Sequence, residues 1–221
     1  LGKFTPDWTG GISNTFSYRS LSLSFLIDAS VGGSIFSNTN KTGKYTGVLA
    51  NTLSGRDAEH GGLWYYTAAM GNNVRLPESP SYSVSSDGLY YAQVNGQSTR
   101  VYQDGIMVEG VTESGSKNEE VVSAEKYYHR IYSIAEANVY DASYVKLREV
   151  ALSYRLPRLW TQKLHLQEAS VTLTGRNLWT IYKSVPNIDP ESALTTGNAQ
   201  GVEAYSLPTT RSFGVNLSVK F

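Results

Sequence analysis

Every second residue from Phe213 to Phe221 is apolar: Phe213, Val215, Leu217, Val219 and Phe221. Ser212, Gly214, Asn216, Ser218 and Lys220 fill the places between them. Side chains of a strand point to alternate faces, so this stretch has one greasy face and one polar face. No other feature narrows the possible folds as far. The greasy face has to be covered, by a second layer of protein or by hydrocarbon. Termini of soluble domains usually fray into water. A transmembrane barrel strand, apolar toward lipid and polar toward the lumen, accounts for the pattern directly.

The same period recurs upstream. Near 10–18, Ile12, Phe16 and Tyr18 share one parity, broken at Asn14, and Ser13, Thr15 and Ser17 share the other. Near 21–32, Leu21, Leu23, Phe25, Ile27, Ala29 and Val31 alternate with Ser22, Ser24, Leu26, Asp28 and Ser30. The two runs read as a hairpin turning at Arg19-Ser20, and Gly32-Gly33 ends the second. Further strands are expected near 143–156, 169–178 and 209–221, with Trp179 and Tyr182 where an aromatic girdle would sit. Residues 37–140 and 183–208 read as long loops, the first holding short strands at 89–94 and 100–102 and partial helix at 119–137. Connections alternating short and long are those of a barrel with turns on one side and loops on the other. Five strands cannot close a barrel, and unpaired edges in lipid are costly. The expectation is therefore a piece of a larger all-β protein, with further strands preceding Leu1.

Composition excludes several classes. The 221 residues carry 19 basic and 19 acidic side chains, without the clustered basic surface that nucleic-acid binding needs. No stretch of about 18 apolar residues occurs, so no transmembrane helix is expected. A mean hydropathy of −0.30 is compatible with strands that show lipid only alternate residues. There is no cysteine, which removes thiolate metal sites, thiol nucleophiles and disulfides.

Sites for chemistry are sparse. His60, His129 and His165 are far apart and lack metal-binding spacing. Gly10-Gly11 and Gly32-Gly33 lack the strand–GxGxxG–helix context of a phosphate cradle and read as strand-end bends. Asp189 and Glu191 could ligate a hard cation, but with Asn187 and Pro190 they fit a turn more simply. No carboxylate pair is marked out for glycoside hydrolysis. The expectation is no enzyme, no metal and no cofactor. Trp64, Tyr65, Tyr66, Tyr82, Tyr90, Tyr91 and Tyr102 suit stacking on sugar rings or contact with a partner, or packing of loops on one another. Asp28, Glu149 and Arg176 have the parity of the polar, lumenal face. Lys146 and Arg148 share the parity of Val150, so they reach that face only if the strand starts late or shifts register.

Several blocks together resemble the SusC/RagA family of TonB-linked outer-membrane transporters of Bacteroidota. They are Asp7-Trp8-Thr9-Gly10-Gly11, Asn14 to Tyr18, Leu21 to Asp28 with Gly32-Gly33 and Ile35-Phe36, and above all Asn138 to Val150. Gly175-Arg176-Asn177-Leu178-Trp179, Asp189-Pro190-Glu191 and Pro208 to Gly214 follow in the family's order. The long segment adds Ser54-Gly55-Arg56-Asp57, Gly105-Ile106 and Gly110-Val111.

The resemblance implies the C-terminal antiparallel strands of a large, plugged barrel of about 22 strands with long extracellular loops, in a bacterial outer membrane. The plug and the TonB-contacting segment lie outside this sequence. By resemblance the parent imports large nutrients, oligosaccharides or peptides. Its partners would be a SusD-like surface lipoprotein, TonB, the barrel-assembly machinery and outer-membrane lipid. Asp28, Lys146, Arg148, Glu149 and Arg176 would meet the plug or keep the interior polar. Phe213, Val215, Leu217, Val219 and Phe221 would form the signal read by the assembly machinery. The competing expectation from the strands and aromatics is a secreted, soluble β-sandwich that binds carbohydrate.

Overall fold

The computed structural model describes residues 2–77, 80–163, 165–192 and 199–221. It divides into two compact units, Leu1–Thr39 with Asn138–Phe221, and Asn40–Ala137. In chain order, β1 (Trp8–Tyr18), β2 (Leu21–Val31) and β3 (Ser34–Ser37) precede α1 (Asn38–Tyr45). Then come β4 (Leu63–Thr67), β5 (Asn73–Arg75), β6 (Tyr82–Val84), β7 (Tyr90–Val94), β8 (Gln97–Met107), β9 (Val121–Ser123) and α2 (Ala124–Ser133). The chain continues through β10 (Val139–Asp141), β11 (Tyr144–Arg155), α3 (Arg158–Lys163), β12 (Glu168–Lys183), β13 (Val202–Glu203) and β14 (Ser212–Lys220).

The first unit is built on a five-stranded sheet of order β1-β2-β11-β12-β14, antiparallel at every step. Directly opposed residues share a face, so the register sorts side chains into rows. Tyr18, Leu21, Tyr154, Val171 and Leu217 form one row. Phe16, Leu23, Leu152, Leu173 and Val215 form the next apolar row. Between them, on the other face, lie Ser17, Ser22, Ser153, Thr172 and Asn216. One face is apolar across all five strands, interrupted at Asn14. Among the described residues nothing covers it: Phe213 is 80 % exposed and Leu217 65 %. A sandwich would seal that face against a second sheet, so the soluble-sandwich expectation gives way to a section of barrel wall.

Trp8 marks one end of the apolar face and Tyr18 the other, at the two ends of β1. At ~3.3 Å per residue they are roughly 33 Å apart along the strand. A tilt of about 40° lowers that to ~25 Å, the height of the lipid-facing band of outer-membrane barrels. Trp179 and Tyr182 lie on the same face toward the Trp8 end, opposite Leu147 and Val145.

Gly32 and Gly33, just past β2, have φ of +79° and +81°. A side chain at Gly32 would meet the Asp7 carboxylate, so the bend read from this pair needs glycine for both conformation and space. Beyond it, β3 pairs with β10 and β13 in a small second sheet, over a core of Ile35, Val185 and Ile188. Glu203 of this sheet is fully buried. Its carboxylate accepts from Ser37 Oγ (2.8 Å), Thr39 Oγ1 (2.6 Å) and the backbone N–H groups of Thr39 and Ser206. It thereby sits at the first turn of α1, where a negative charge is favoured.

In the second unit, short strands and a helix are expected near 89–94, 100–102 and 119–137; Asn40–Ala137 carries them in a sheet of order β5-β4-β8-β7-β6, with β9 on β8 and α2 following. Most of its strands are three to five residues long, too short for alternation to show. The β7–β8 hairpin turns at Asn95-Gly96, both at positive φ, the pair such a two-residue turn favours. Ser123 caps α2 by accepting from Lys126 N.

Candidate functional site

Lys146 and Val150 have the same parity, yet they lie on opposite faces of β11. Leu147 pairs with Ile27 and Glu149 with Leu26, so Arg148 is an extra residue with no partner on β2. This β-bulge shifts the register by one. Lys146 then opposes Asp28 on the polar face, while Val150 opposes Phe25 on the apolar face. Opposite the bulge, Asn177 and Leu178 of β12 are both left out of the pairing with β11, and Asn177 has φ +51°, a conformation asparagine tolerates better than most residues.

The bulge assembles an ionic cluster. Lys146 Nζ lies 2.5 Å from Asp189 Oδ1 and 2.6 Å from Glu191 Oε2. Arg148 donates to Asp28 Oδ2 from Nε (2.9 Å) and Nη2 (2.7 Å), and to both oxygens of Glu191. Tyr144 Oη donates to Glu191 Oε1 at 2.9 Å. Thr209 closes the far side, its Oγ1 donating to Asp189 Oδ2 at 2.5 Å. Lys146 is the most enclosed of these, with 3 % of its side chain exposed. Three carboxylates therefore face two cations, and every one of them is engaged.

Asp189 also accepts from Glu191 N at 3.0 Å, an Asx turn that presents both carboxylates to the sheet. Burial pushes the Asp189 carboxyl up, but hydrogen bonds from Lys146, Thr209 and the Glu191 N–H hold it down at about 2. Burial likewise raises Glu191, and Arg148 and Lys146 outweigh it, leaving it below the ordinary glutamate range. The turn reading of Asp189 and Glu191 and their charge chemistry thus meet, with lysine and arginine as the cations. Among the described residues no group of three or more histidines and acids is placed to hold a metal. The cluster ties the segment after β12 to the sheet.

Of the five polar-face candidates, Asp28, Lys146 and Arg148 join this cluster. Glu149 and Arg176 form a separate cross-strand pair at 2.9 Å. Tyr144 and Thr209 were missed. Tyr144 could have been found from the parity it shares with Lys146, but nothing local to Thr209 announces its partner.

The aromatic candidates sit in the second unit. Trp64 and Tyr65 are buried. Trp64 stacks on Tyr82 at 4.9 Å and meets Tyr90 edge-on at 5.6 Å. Tyr65 stacks on Tyr102 at 5.1 Å and donates to Asp104. Tyr66 packs on the Trp64, Ala92 and Val101 core, and Tyr91 is a ladder residue opposite Arg100. Most of these rings meet one another. The histidines stay apart: His60 pairs with Asp57, His129 stacks on Tyr45, and His165 occupies a turn. The terminal set Phe213, Val215, Leu217 and Val219 lies on the apolar face of β14, with Phe221 just beyond it.

An uncovered apolar face, a polar face laced with ion pairs and antiparallel neighbours throughout define a section of a transmembrane β-barrel wall. No protein-family model matches the chain. TonB-dependent receptor P3 of Formosa agariphila is 24 % identical over 227 residues, aligned with 100 % of this chain and 17 % of its own length. The solved RagAB peptide transporter matches with a TM-score of 0.50 at 18 % identity, over 99 % of this chain and 17 % of that one. The RagAB peptide importer in its open-open state gives 0.48 at 17 % identity, over 99 % and 17 %. The chain resembles a fragment of the TonB-linked transporters its motifs pointed to, and it spans 17 % of the length of these relatives. By name these relatives are a receptor and a transporter.

Proposed function

We propose that this chain forms the C-terminal barrel wall and outward-facing segments of a TonB-dependent importer in the outer membrane of a bacterium of the Bacteroidota. The parent protein takes up large nutrients, oligosaccharides or peptides. A SusD-like surface lipoprotein captures them and closes over the outer side. TonB acts through a plug domain outside this sequence. The observation that carries the reading is the five-stranded sheet itself, greasy and uncovered on one side and charged on the other. Its likeness to a peptide transporter and a TonB-dependent receptor supports the activity.

In this reading Asp28, Lys146, Arg148, Glu149 and Arg176 line the lumen, where the plug sits. In the proposed topology the β1–β2 and β11–β12 turns face the periplasm, and the longer connections face outward. Tyr82, half exposed, is the best placed of the aromatic candidates to meet substrate or lipoprotein. The test is uptake of labelled peptides and labelled oligosaccharides by cells with and without the parent gene. Accumulation of one class should vanish in the deletion strain and when a protonophore collapses the inner-membrane gradient. Equal uptake of both classes by the two strains overturns the proposal.

A further inference from the structure

The connection between β11 and β12 exposes what a turn in water would not. Helix α3 reads Arg158-Leu159-Trp160-Thr161-Gln162-Lys163. Thr161 is buried against the first unit and bonds back to Arg158 O. Leu159 is 74 % exposed and Trp160 58 %. Neighbours on a helix surface are three and four residues apart, so Lys163 lies beside both Leu159 and Trp160. The chain arrives by Leu156 N–H bonding Ala169 O, and Pro157 O accepts from Trp160 N.

The helix sits at the turn end of the apolar face. Arg155 N donates to Ser20 O of the β1–β2 turn, and Gln167 N donates to Lys220 O of β14. Tyr18, Tyr154 and Phe221 mark the same end of the apolar face. Cationic side chains collect here: Arg19, Arg155, Arg158, Lys163 and Lys220, all exposed. Among the described residues at this end the only carboxylate side chain is Glu168, paired with Arg155 at 2.9 Å and opposite Lys220.

We propose that α3 and these cations form a membrane-interface anchor that binds anionic phospholipid headgroups in the leaflet on the short-turn side of the barrel. Two arguments select lipid. The exposed Leu159 and Trp160 follow β11 at the turn end of the sheet, just past Tyr154, and tryptophan favours the headgroup level. Arginine and lysine side chains reach from that depth to phosphate oxygens. The excess of positive charge complements an anionic surface and opposes none. The anchor would hold the hairpin's depth in the bilayer and resist vertical slippage of the wall. The inference rests on the barrel fold and is independent of what the parent imports.

The test uses the whole parent protein, reconstituted in phosphatidylethanolamine vesicles with or without phosphatidylglycerol. A nitroxide on a cysteine at position 160 (Trp160→Cys) should relax more with lipid-soluble oxygen than with a water-soluble nickel chelate. Arg158→Ser and Lys163→Ser should each reduce phosphatidylglycerol retained on the purified protein by about fivefold, leaving phosphatidylethanolamine unaffected. Free access of the nickel chelate overturns the anchor. So does protection that appears only on adding periplasmic extract, which would indicate a protein partner. Retention of lipopolysaccharide instead of phosphatidylglycerol overturns the assignment of leaflet.

Discussion

Lys146 Nζ and Asp189 Oδ1 are 2.5 Å apart, joining residues 43 positions apart in sequence. One is on a wall strand and the other in the segment that follows β12. Both side chains are nearly sealed from solvent. Removing one partner from such a pair leaves a bare buried charge, at a cost of about 3–5 kcal/mol. Lys146→Met in the parent protein should therefore lower its thermal midpoint and open residues 184–192 to protease. Adding Asp189→Leu should recover part of the loss. Additive effects of the two changes would mean that the pair is not coupled.

Acid should loosen the same connection. The folded Asp189 carboxyl is drawn from an ordinary 3.8 to about 2, worth about 2 kcal/mol. The folded value is the lower one, so this stabilisation is complete above about pH 4. It is lost as pH falls through 4 toward 2. Glu191 and Glu203 are shifted in the same direction and add to the acid limb. The midpoint of Asp189→Asn should be lower at neutral pH and flatter below pH ~4. A variant that keeps the full acid slope would refute the assignment.

The two faces of the wall should respond oppositely to charge. Val150→Arg puts a guanidinium on the apolar face near mid-height, at about 2–4 kcal/mol. Ala151→Arg, one residue on, faces the polar side and should cost little. Unfolding of both variants in lipid vesicles measures the contrast. Equal costs would mean that hydrocarbon does not cover the Val150 side.

On the reading that the assembly machinery recognises the apolar set Phe213 to Phe221, Phe221→Asp should reduce the amount of parent protein in the outer membrane. Ser218→Asp, on the other face, should leave the level near normal. Quantitative blotting of membrane fractions gives the answer. Unchanged levels for Phe221→Asp would remove that role.

In the second unit, Trp64→Ala removes the ring shared by Tyr82 and Tyr90 and should cost about 3–5 kcal/mol. Hydrogen exchange in β4, β7 and β8 should accelerate. Unchanged exchange there would show that the aromatic cluster is not its core.

Long strands were legible because each shows its period over many residues, as Leu21 to Val31 does. The second unit was not, because a strand such as Asn73–Arg75 is too brief to show one. Its Asn95-Gly96 turn was a usable signal that went unread. Within the cluster, the sequence marked Lys146 and Arg148 as anomalous and named a register shift as the way to turn them inward. It could not pair them with Asp189 and Glu191, because that choice is made by the path of the chain after Lys183. The aromatic residues of the long segment, attractive as a contact surface, largely spend their faces on one another.

The surplus residue at Arg148 means that sidedness in this wall is set piecewise along a strand. Drawing Arg148 into the regular ladder would send the ammonium of Lys146 into oil and bring Leu147 inward, with no side chain altered. Proteins built this way can relocate a charge between two media by opening or closing a bulge, and a comparison that scores only substitutions would overlook it.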